Sequence, residues 1–205
     1  MGAQNIISIQ ETCSLEPVQK FLESVGRNSH SSKAVYGVAL SHFQIFLRSK
    51  YQPNDIETIL AAITTERVNV YSLLDGFVSY LVDKNKLTPN SVSLYVAAVR
   101  SYVGYYDIDI VPSRFKRKVR MPKRLREDEE PIDASEIRKI LLSCPNRRLK
   151  AYLLVLSSSG ARASEALAIR NIDCDFSSNP VKIHIRKEYS KTRVARTVYI
   201  SNESL

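Results

Sequence analysis

The sequence predicts a mainly α-helical protein in two parts, a four-helix bundle followed by a partial α+β region with a β-hairpin. In the first half, apolar residues recur at three- and four-residue steps, which is the period of a helix face. Residues 113–131 hold almost nothing apolar, which is typical of a linker. Beyond them, one stretch alternates apolar and polar residues as a strand does. The predicted parts are therefore residues 1–112, a linker at 113–131, and residues 132–205.

The composition is typical of a globular protein, because the 205 residues are 44% hydrophobic and 25% charged. The longest apolar run, Ala151–Leu156, is too short to cross a bilayer, and the N-terminus has no export or lipid-attachment signal. Cys13, Cys144 and Cys174 are far apart, and pairing Cys174 with His184 gives two ligands where zinc needs three or four. We expect a cytoplasmic protein with reduced thiols, no metal and no membrane association.

The net charge of +9 lies entirely in the second half. Residues 1–112 hold nine Lys and Arg against ten Asp and Glu, residues 113–131 hold eight against four, and residues 132–205 hold thirteen against seven. A positive field of this kind favours a polyanion, and nucleic acid is the commonest one. A basic surface that serves only solubility has the same composition, so charge alone leaves both interpretations open.

Four apolar stripes define the predicted helices of the first part. The stripes are residues 15–25, 36–47, 70–81 and 92–106. Gly26 ends the first stripe and Pro53 breaks the chain after the second. The fourth helix opens with Thr88 as N-cap and with Pro89 in the first turn, where a helix tolerates proline. Four amphipathic helices of this kind make a small bundle.

Residues 113–131 are predicted to link the two parts. Prolines punctuate the segment, and the acidic run 127–130 follows its basic residues directly. A basic strap between two domains is well placed to lie along a phosphate backbone. The alternative is a solvated spacer in which the acidic run neutralises the basic one. The expected contacts with nucleic acid are Lys116, Arg117, Lys118, Arg120, Lys123, Arg124 and Arg126.

The second part is predicted to hold three helices and a hairpin. Asp133 and Glu136 have the spacing of a capping box, and Gly160 suits the left-handed conformation that ends a helix. Tyr199 falls within the second predicted strand, which indicates packing and not catalysis. The elements are a helix after Asp133, a helix from about 147 to 159, a short helix at 163–170, and strands around 181–186 and 198–200 joined by a polar turn at 190–193.

Arg162 stands at the predicted start of a helix, because Gly160 ends the helix before it. Free backbone N–H groups at such a position favour an anion, and a guanidinium can hold a phosphate with two parallel hydrogen bonds. Glu165, three residues on, lies on the same helix face and can hold Arg162 in position. An ordinary surface ion pair has the same sequence, since R-x-x-E is a common spacing.

The predicted hairpin turn carries Lys191 and Arg193, and Arg196 follows just beyond it. A lysine on a β-turn can reach a site formed elsewhere and deliver a proton, because its ammonium sits on a flexible stem and its pKa is easily lowered. Hairpin tips are also rich in lysine for reasons unrelated to catalysis. Taken alone, the turn therefore leaves the role of Lys191 open.

Together these features resemble the tyrosine recombinases, the phage-integrase family of DNA strand-exchange enzymes. The similar segments are residues 160–167, Asp173 and the hairpin at 191–198. The capping-box helix is similar to the usual start of the family's catalytic domain, and the bundle before it to the family's SAM-like core-binding domain. The resemblance implies a core-binding domain at 1–112 and the first part of a catalytic domain at 132–205, clamped around double-stranded DNA.

The resemblance also implies a role for individual residues. Arg162 would be the first of two catalytic arginines and stabilise negative charge on the scissile phosphate, Lys191 would protonate the departing 5′-oxygen, and Glu165 would support Arg162. The family's nucleophile is a tyrosine that forms a covalent 3′-phosphotyrosyl link, so no metal, ATP or other cofactor is implied. The family works as a tetramer, which implies a homo-oligomer on DNA. Further expected DNA contacts are Lys33, Asn90, Arg100, Arg193 and Arg196.

The sequence departs from the family pattern downstream of the hairpin. His30, His42 and His184 are not followed at the third position by Arg, and no H-x-x-R motif, later His or Trp, or nucleophilic Tyr follows the hairpin. We therefore expect a DNA-binding fragment of a recombinase that cannot cleave DNA by itself. Two alternatives stay open: a stand-alone DNA-binding regulator without catalysis, and an RNA-binding protein that uses the basic segment as an arm.

Overall fold

Two compact units make up the chain, and the division falls between residues 126 and 127. The structure is a computed structural model that describes residues 9–52, 55–123, 130–191 and 193–201. The described residues are mainly helical and include a small antiparallel sheet in the second unit. This confirms the predicted fold class.

The described part of the first unit includes the four predicted long helices and, among its shorter ones, the two given below. Ser29 and Thr88 cap two of the long helices, since each hydroxyl accepts a hydrogen bond from the backbone N–H three residues on. Pro89 occupies the first turn, as predicted. The helices are α1 Glu16–Gly26, α2 His30–Lys50, α3 Ile59–Thr64, α4 Val70–Asp83, α5 Pro89–Tyr105 and α6 Pro112–Lys118.

Aromatic side chains fill the core of the first unit. Phe43, Phe46, Phe77 and Tyr102 are completely buried, and the ring of Phe43 meets that of Phe77 edge-on with 5.2 Å between centroids. The Tyr102 hydroxyl donates to the backbone oxygen of Ile56 (3.0 Å), so its polar atom is satisfied inside the core. Each such side chain contributes about 1.5–3 kcal/mol through burial, which makes packing the main source of stability here.

Helix α6 lies within the segment predicted to be a linker. The side chain of Phe115 packs against the core of the first unit, and Val119 is buried. The two apolar residues are four apart and so share one helix face, while the basic residues between them dominate the composition. The first part therefore continues past residue 112, in contrast to the predicted boundary.

The second unit contains the predicted helices, a hairpin and one unpredicted short strand. Its elements are α7 Ala134–Ser143, α8 Arg147–Ser159, α9 Ala163–Leu167, a 3₁₀ turn Asn171–Asp173, β1 Cys174–Asp175, β2 Val181–Ile185 and β3 Arg196–Ile200. The strands are antiparallel in the order β1-β2-β3, and Ile183 pairs with Cys174 and Val198. The capping box of Asp133 and Glu136 is confirmed, and so is the left-handed Gly160, whose φ is +63°. Helix α9 ends at Leu167, earlier than predicted.

One face of the sheet carries the small core of the second unit. Five strand side chains are buried, and no residue of α7 or α8 is. Successive residues of a strand point to opposite faces, so with Val198 and Ile200 inward, Tyr199 points outward and is 51% exposed. The prediction that Tyr199 packs inside is therefore wrong. Leu149 of α8 is also exposed.

Candidate functional site

Arg162 occupies the N-cap position of α9, directly after the turn that Gly160 makes. Its backbone N–H donates to Oε2 of Glu165 (2.8 Å), and its Nη1 donates to Oε1 of the same carboxylate (2.9 Å). The side chain of Arg162 is nevertheless 49% exposed. The guanidinium is therefore anchored at one nitrogen, while about half of the side chain stays accessible to solvent.

Glu165 is the charged centre of this site, and its side chain is completely buried. Besides the two bonds from Arg162, it accepts two from Arg196, from Nη1 to Oε1 (2.9 Å) and from Nη2 to Oε2 (2.6 Å). These bonds from Arg196, followed by those from Arg162, lower the pKa of Glu165 to about 2 although burial alone would raise it. The carboxylate is thus ionised at neutral pH and shared between two arginines.

Arg196, which the sequence predicts as a DNA contact, is bonded to Glu165. It begins β3, where the alternation of the strand places it on the inward side together with Val198 and Ile200. Both terminal nitrogens of its guanidinium are bonded to Glu165, and 35% of the side chain is exposed. The structure therefore gives this fork a protein partner. The sequence holds one signal that Arg196 points inward: Arg196 and Val198 are two residues apart in a strand and therefore share one face.

A second ion pair fixes the hairpin to the segment after α9. Arg186 Nε lies 3.2 Å from Oδ1 of Asp173, Arg186 Nη2 donates to the backbone oxygen of Ala168 (3.0 Å), and its guanidinium lies over the ring of Tyr189. Asp173 is nearly buried, and its Oδ2 accepts from the backbone N–H of Arg170 (2.9 Å). Sequence reasoning missed Arg186, because its partner lies on another element.

The hairpin turn presents the other two residues predicted for the site. Lys191 is exposed in the turn, and Arg193 is exposed with a φ of +54°. The backbone N–H of Arg193 donates to the oxygen of Ser190 (2.9 Å), which closes the turn. Both side chains are accessible from solvent, and their roles in proton delivery and DNA binding stay predictions.

Helix α6 and the residues just after it expose the predicted basic side chains. We call Lys116, Arg117, Lys118, Arg120 and Lys123 the α6 basic surface, and all five are exposed. Arg124 and Arg126, which belong to the same prediction, lie outside the described residues. Lys116, Arg117 and Lys118 belong to a folded helix, so their charges have fixed spacings, unlike those of a loose strap.

Three contacts hold this helix on the first unit. The Val111 N–H donates to the hydroxyl of Tyr71 (3.1 Å), and the Arg120 N–H donates to the carboxylate of Asp75 (3.0 Å). The third contact is the guanidinium of Arg100, which lies 4.2 Å from the centre of the Phe115 ring. These contacts anchor both ends and the middle of α6.

The three residues predicted on polar faces of the bundle fall into two groups. Lys33 and Asn90 are exposed near the starts of α2 and α5, and their contact with DNA stays a prediction. Arg100 instead packs on Phe115, and its Nε is buried without a hydrogen-bond partner among the described residues. Its cation–π contact gives Arg100 a structural role that its position on the helix did not predict.

Metal ligands and membrane spans are the remaining features that bear on function. Among the described residues, no group of three His, Cys, Asp or Glu side chains is arranged to hold a metal ion. Within the same residues, no helix has the length and apolar character that a membrane span requires.

Comparison with other proteins gives a recombinase and a transposase as relatives. No family model matches the chain. The chain is 24% identical to the tyrosine recombinase XerA of Saccharolobus solfataricus over 123 residues, which cover 60% of the chain and 38% of that protein. It is 23% identical to transposase A of transposon Tn554 from Staphylococcus aureus over 220 aligned positions, which cover 92% of the chain and 61% of the transposase.

The alignment with a solved structure of XerA recombinase covers 92% of this chain and 60% of the recombinase chain, at 19% identity and a TM-score of 0.33. The chain spans between 38% and 61% of the length of the two curated relatives. The resemblance to tyrosine recombinases seen in the sequence rests on the segment around Arg162 and on the hairpin. The names of the two curated relatives are consistent with that resemblance. The chain is related to the tyrosine recombinases.

Proposed function

We propose that the protein takes part in site-specific DNA recombination, in which this chain binds double-stranded DNA and holds the scissile phosphate at Arg162. The names of the two curated relatives, a tyrosine recombinase and a transposase, support this class of reaction. The observation that carries the proposal is that Glu165 anchors Arg162 while half of the Arg162 side chain stays exposed. Arg196 already makes two hydrogen bonds to Glu165, so neutralising that carboxylate does not by itself require a second arginine.

The chemistry follows from the exposed part of this guanidinium. A phosphodiester gains negative charge as a nucleophile adds to phosphorus, and charge-assisted hydrogen bonds from Arg162 would stabilise that charge. Lys191, exposed on its turn, would protonate the departing 5′-oxygen. In a reaction of this type a tyrosine hydroxyl attacks, a 3′-phosphotyrosyl bond forms as the bond to the 5′-oxygen breaks, and the reverse step rejoins the strand. None of the described tyrosines is assigned the role of this nucleophile.

The DNA backbone would lie on the α6 basic surface. Its five side chains are exposed, and three of them project from an anchored helix, so these three can meet phosphates without first ordering a loop. Lys33 and Asn90 would add contacts from the bundle, and Arg193 from the hairpin turn. Phosphate contacts of this kind set position and affinity and carry no base sequence information. Several copies of the protein would assemble on the DNA.

The salt dependence of DNA binding tests the α6 basic surface. Removing one phosphate-binding side chain should reduce the slope of log affinity against log salt by roughly 0.9, so replacing Lys116, Arg117 and Lys118 with Ala should reduce it by up to roughly 2.7. The measurement is fluorescence anisotropy of a labelled duplex with the 205-residue chain. The matched control replaces Lys50, Arg67 and Lys84, three exposed charges elsewhere on the first unit. Equal slopes for the two triple variants would contradict the proposed surface.

The recombinase activity is tested by a covalent adduct. A gene product that contains this chain should form a protein–DNA adduct on a nicked duplex in the presence of a metal chelator, and Arg162→Ala should reduce adduct formation by at least about a hundredfold. The adduct is measured on a denaturing gel, and circular dichroism checks that the variant is folded. An Arg162→Ala protein with normal adduct yield would remove Arg162 from the site. Specific binding without any adduct in the unaltered protein would favour a DNA-binding regulator.

A further inference from the structure

We infer that Arg196 is a positioning residue for Arg162, which acts through Glu165 and does not bind a DNA phosphate itself. The inference rests on the proposed function, because it takes Arg162 as the arginine that holds the phosphate. It changes the role of the second arginine of the site from a ligand of DNA to a support inside the protein.

The two arginines differ in how many side-chain hydrogen bonds each makes to Glu165. Arg196 presents two terminal nitrogens to the two oxygens of Glu165, which is the bidentate geometry that fixes the plane of a carboxylate. Arg162 uses only Nη1 of its guanidinium for the same carboxylate. Arg162 therefore keeps donors for another anion, whereas the fork of Arg196 is already occupied.

The fixed carboxylate then orients Arg162 in two ways. Oε1 of Glu165 accepts from Nη1 of Arg162, and Oε2 accepts from its backbone N–H. The main chain and the side chain of Arg162 are thus held to one group, and that group is held by β3. Because Glu165 and Arg196 are thirty-one positions apart, this chain of contacts joins the start of α9 to the hairpin.

The neighbouring charges leave Arg196 without a substitute. The groups that line the cavity beside Glu165 include Asp173, His184 and Arg186. Arg186 is bound to Asp173 and to the backbone oxygen of Ala168, so its guanidinium has partners other than Glu165. Among the described residues, Arg162 and Arg196 are the cations bonded to this carboxylate. Loss of Arg196 would leave Arg162 as both the counter-ion of Glu165 and the phosphate ligand.

A phosphate would also meet an obstacle at Arg196. The anion would approach a guanidinium whose two terminal nitrogens are bonded to an ionised carboxylate, so it would have to displace Glu165 or accept a like charge close by. At Arg162 only Nη1 is bonded to this carboxylate, so among the described residues the other guanidinium nitrogens keep donors for a phosphate. Removing Arg162, as a phosphate ligand, should therefore reduce the salt dependence of DNA binding, whereas removing Arg196 should leave it unchanged.

The test uses the 205-residue chain with Arg196→Lys and Arg196→Gln. Arg196→Lys keeps the charge and loses the fork, which limits the damage to folding. Arg186→Gln is the matched control, because it also breaks an arginine–carboxylate pair in the second unit and removes one charge without touching Glu165. Dispersed amide NMR signals from the second unit establish folding. Glu165→Gln is a third variant, which keeps the shape of the side chain and removes its charge. If the inference is correct, it should make the Arg162 side chain more mobile, as the Arg196 variants should.

The first readout is rotation about the Nε–Cζ bond of Arg162, followed by ¹⁵N NMR of its guanidinium in the free protein. We expect slow rotation in the unaltered chain and in Arg186→Gln, and faster rotation in the Arg196 variants and in Glu165→Gln. Unchanged rotation in every folded variant at 165 and 196 would overturn the inference. This readout needs no DNA, so it decides the positioning role even if the chain proves unable to bind a duplex.

The second readout is duplex affinity in a double-mutant cycle with Arg162→Ala. We expect Arg196→Lys to weaken binding by roughly three- to tenfold, the scale of coupling within one hydrogen-bond network, and to have no effect once Arg162 is absent. The salt slope should be the same for Arg196→Gln as for the unaltered chain. A slope reduced by roughly 0.9, with a decrease in affinity that adds to that of Arg162→Ala, would make Arg196 a phosphate ligand and overturn the inference.

Discussion

The two units are held together by different interactions. In the first unit, large side chains such as Phe43 and Tyr102 are completely buried. The ion pairs of Lys20 with Glu16 and of Arg48 with Glu11 have more than half of each side chain exposed. In the second unit, no residue of α7 or α8 is buried, whereas the carboxylates of Glu165 and Asp173 are almost inaccessible. Apolar packing dominates one unit, and charge pairing has a large share in the other.

This difference indicates where each unit is vulnerable. Exposed ion pairs contribute between zero and about 1 kcal/mol, so the charges of the first unit matter little for its stability. A buried carboxylate that loses a partner destabilises a protein by about 3–5 kcal/mol, because the remaining charge is uncompensated. The first unit should therefore be sensitive to changes in side-chain volume, and the second to changes in charge and pH.

The largest effect should come from a core truncation in the first unit. Phe43→Ala removes a completely buried ring that meets Phe77, and it should lower the free energy of unfolding of that unit by about 3–5 kcal/mol. Leu142→Ala in α7, where the side chain is 76% exposed, should change the stability of the second unit by less than about 0.5 kcal/mol. Amide hydrogen exchange, followed separately for each unit, measures both. Similar decreases in stability for the two variants would contradict the comparison.

The second effect is an acid sensitivity confined to the second unit. The pKa of Glu165 is about 2 in the folded protein and 4.5 without its partners, so folding favours the ionised form. Its contribution to stability is complete above pH 4.5 and is lost as the pH falls through about 2. Glu165→Gln should cost about 2 kcal/mol at neutral pH, because charge-assisted hydrogen bonds become neutral ones.

Urea unfolding of the second unit, measured at several pH values down to about 2, tests this. The unaltered chain should lose stability over that range, and Glu165→Gln should lose distinctly less. Arg186→Gln is the control, because it weakens the other buried pair and leaves Glu165 with both arginines. Identical acid profiles for Glu165→Gln and the unaltered chain would show that the Arg162–Glu165–Arg196 cluster does not set this sensitivity.

Local signals explain what the sequence predicted correctly. The capping box of Asp133 and Glu136, the left-handed Gly160 and the contact of Arg162 with Glu165 all involve residues within three positions of each other. At that range the backbone geometry of a helix start or end already fixes which groups meet. The long helices are equally easy to predict from the sequence, because each has an apolar face with the helical period.

The errors have a different physical origin. Tyr199 was assigned to packing because it lies in a strand, but the facing of a strand is decided by which residues its sheet buries. The bond of Arg196 to Glu165 is not visible in the sequence, where a basic residue near a hairpin favours a DNA contact, because the two residues are thirty-one positions apart. Helix α6 is hard to predict because its apolar residues Phe115 and Val119 are separated by three basic residues. The apolar face is recognised only by their four-residue spacing.

The smallest effect concerns that helix, which joins the packing of the first unit to its proposed contact with DNA. Phe115 is partly buried, and Phe115→Ala should weaken the attachment of α6 by about 1–2 kcal/mol while leaving the net charge unchanged. Trypsin should then cut at the basic residues of α6 about tenfold faster, and duplex affinity should fall. Phe176→Ala removes the same ring from an exposed position in the second unit and should alter neither result. If affinity stays constant while cleavage accelerates, the charges of α6 bind DNA as well from a loosened helix, and the anchoring by Arg100, Tyr71 and Asp75 serves stability and not the presentation of the α6 basic surface.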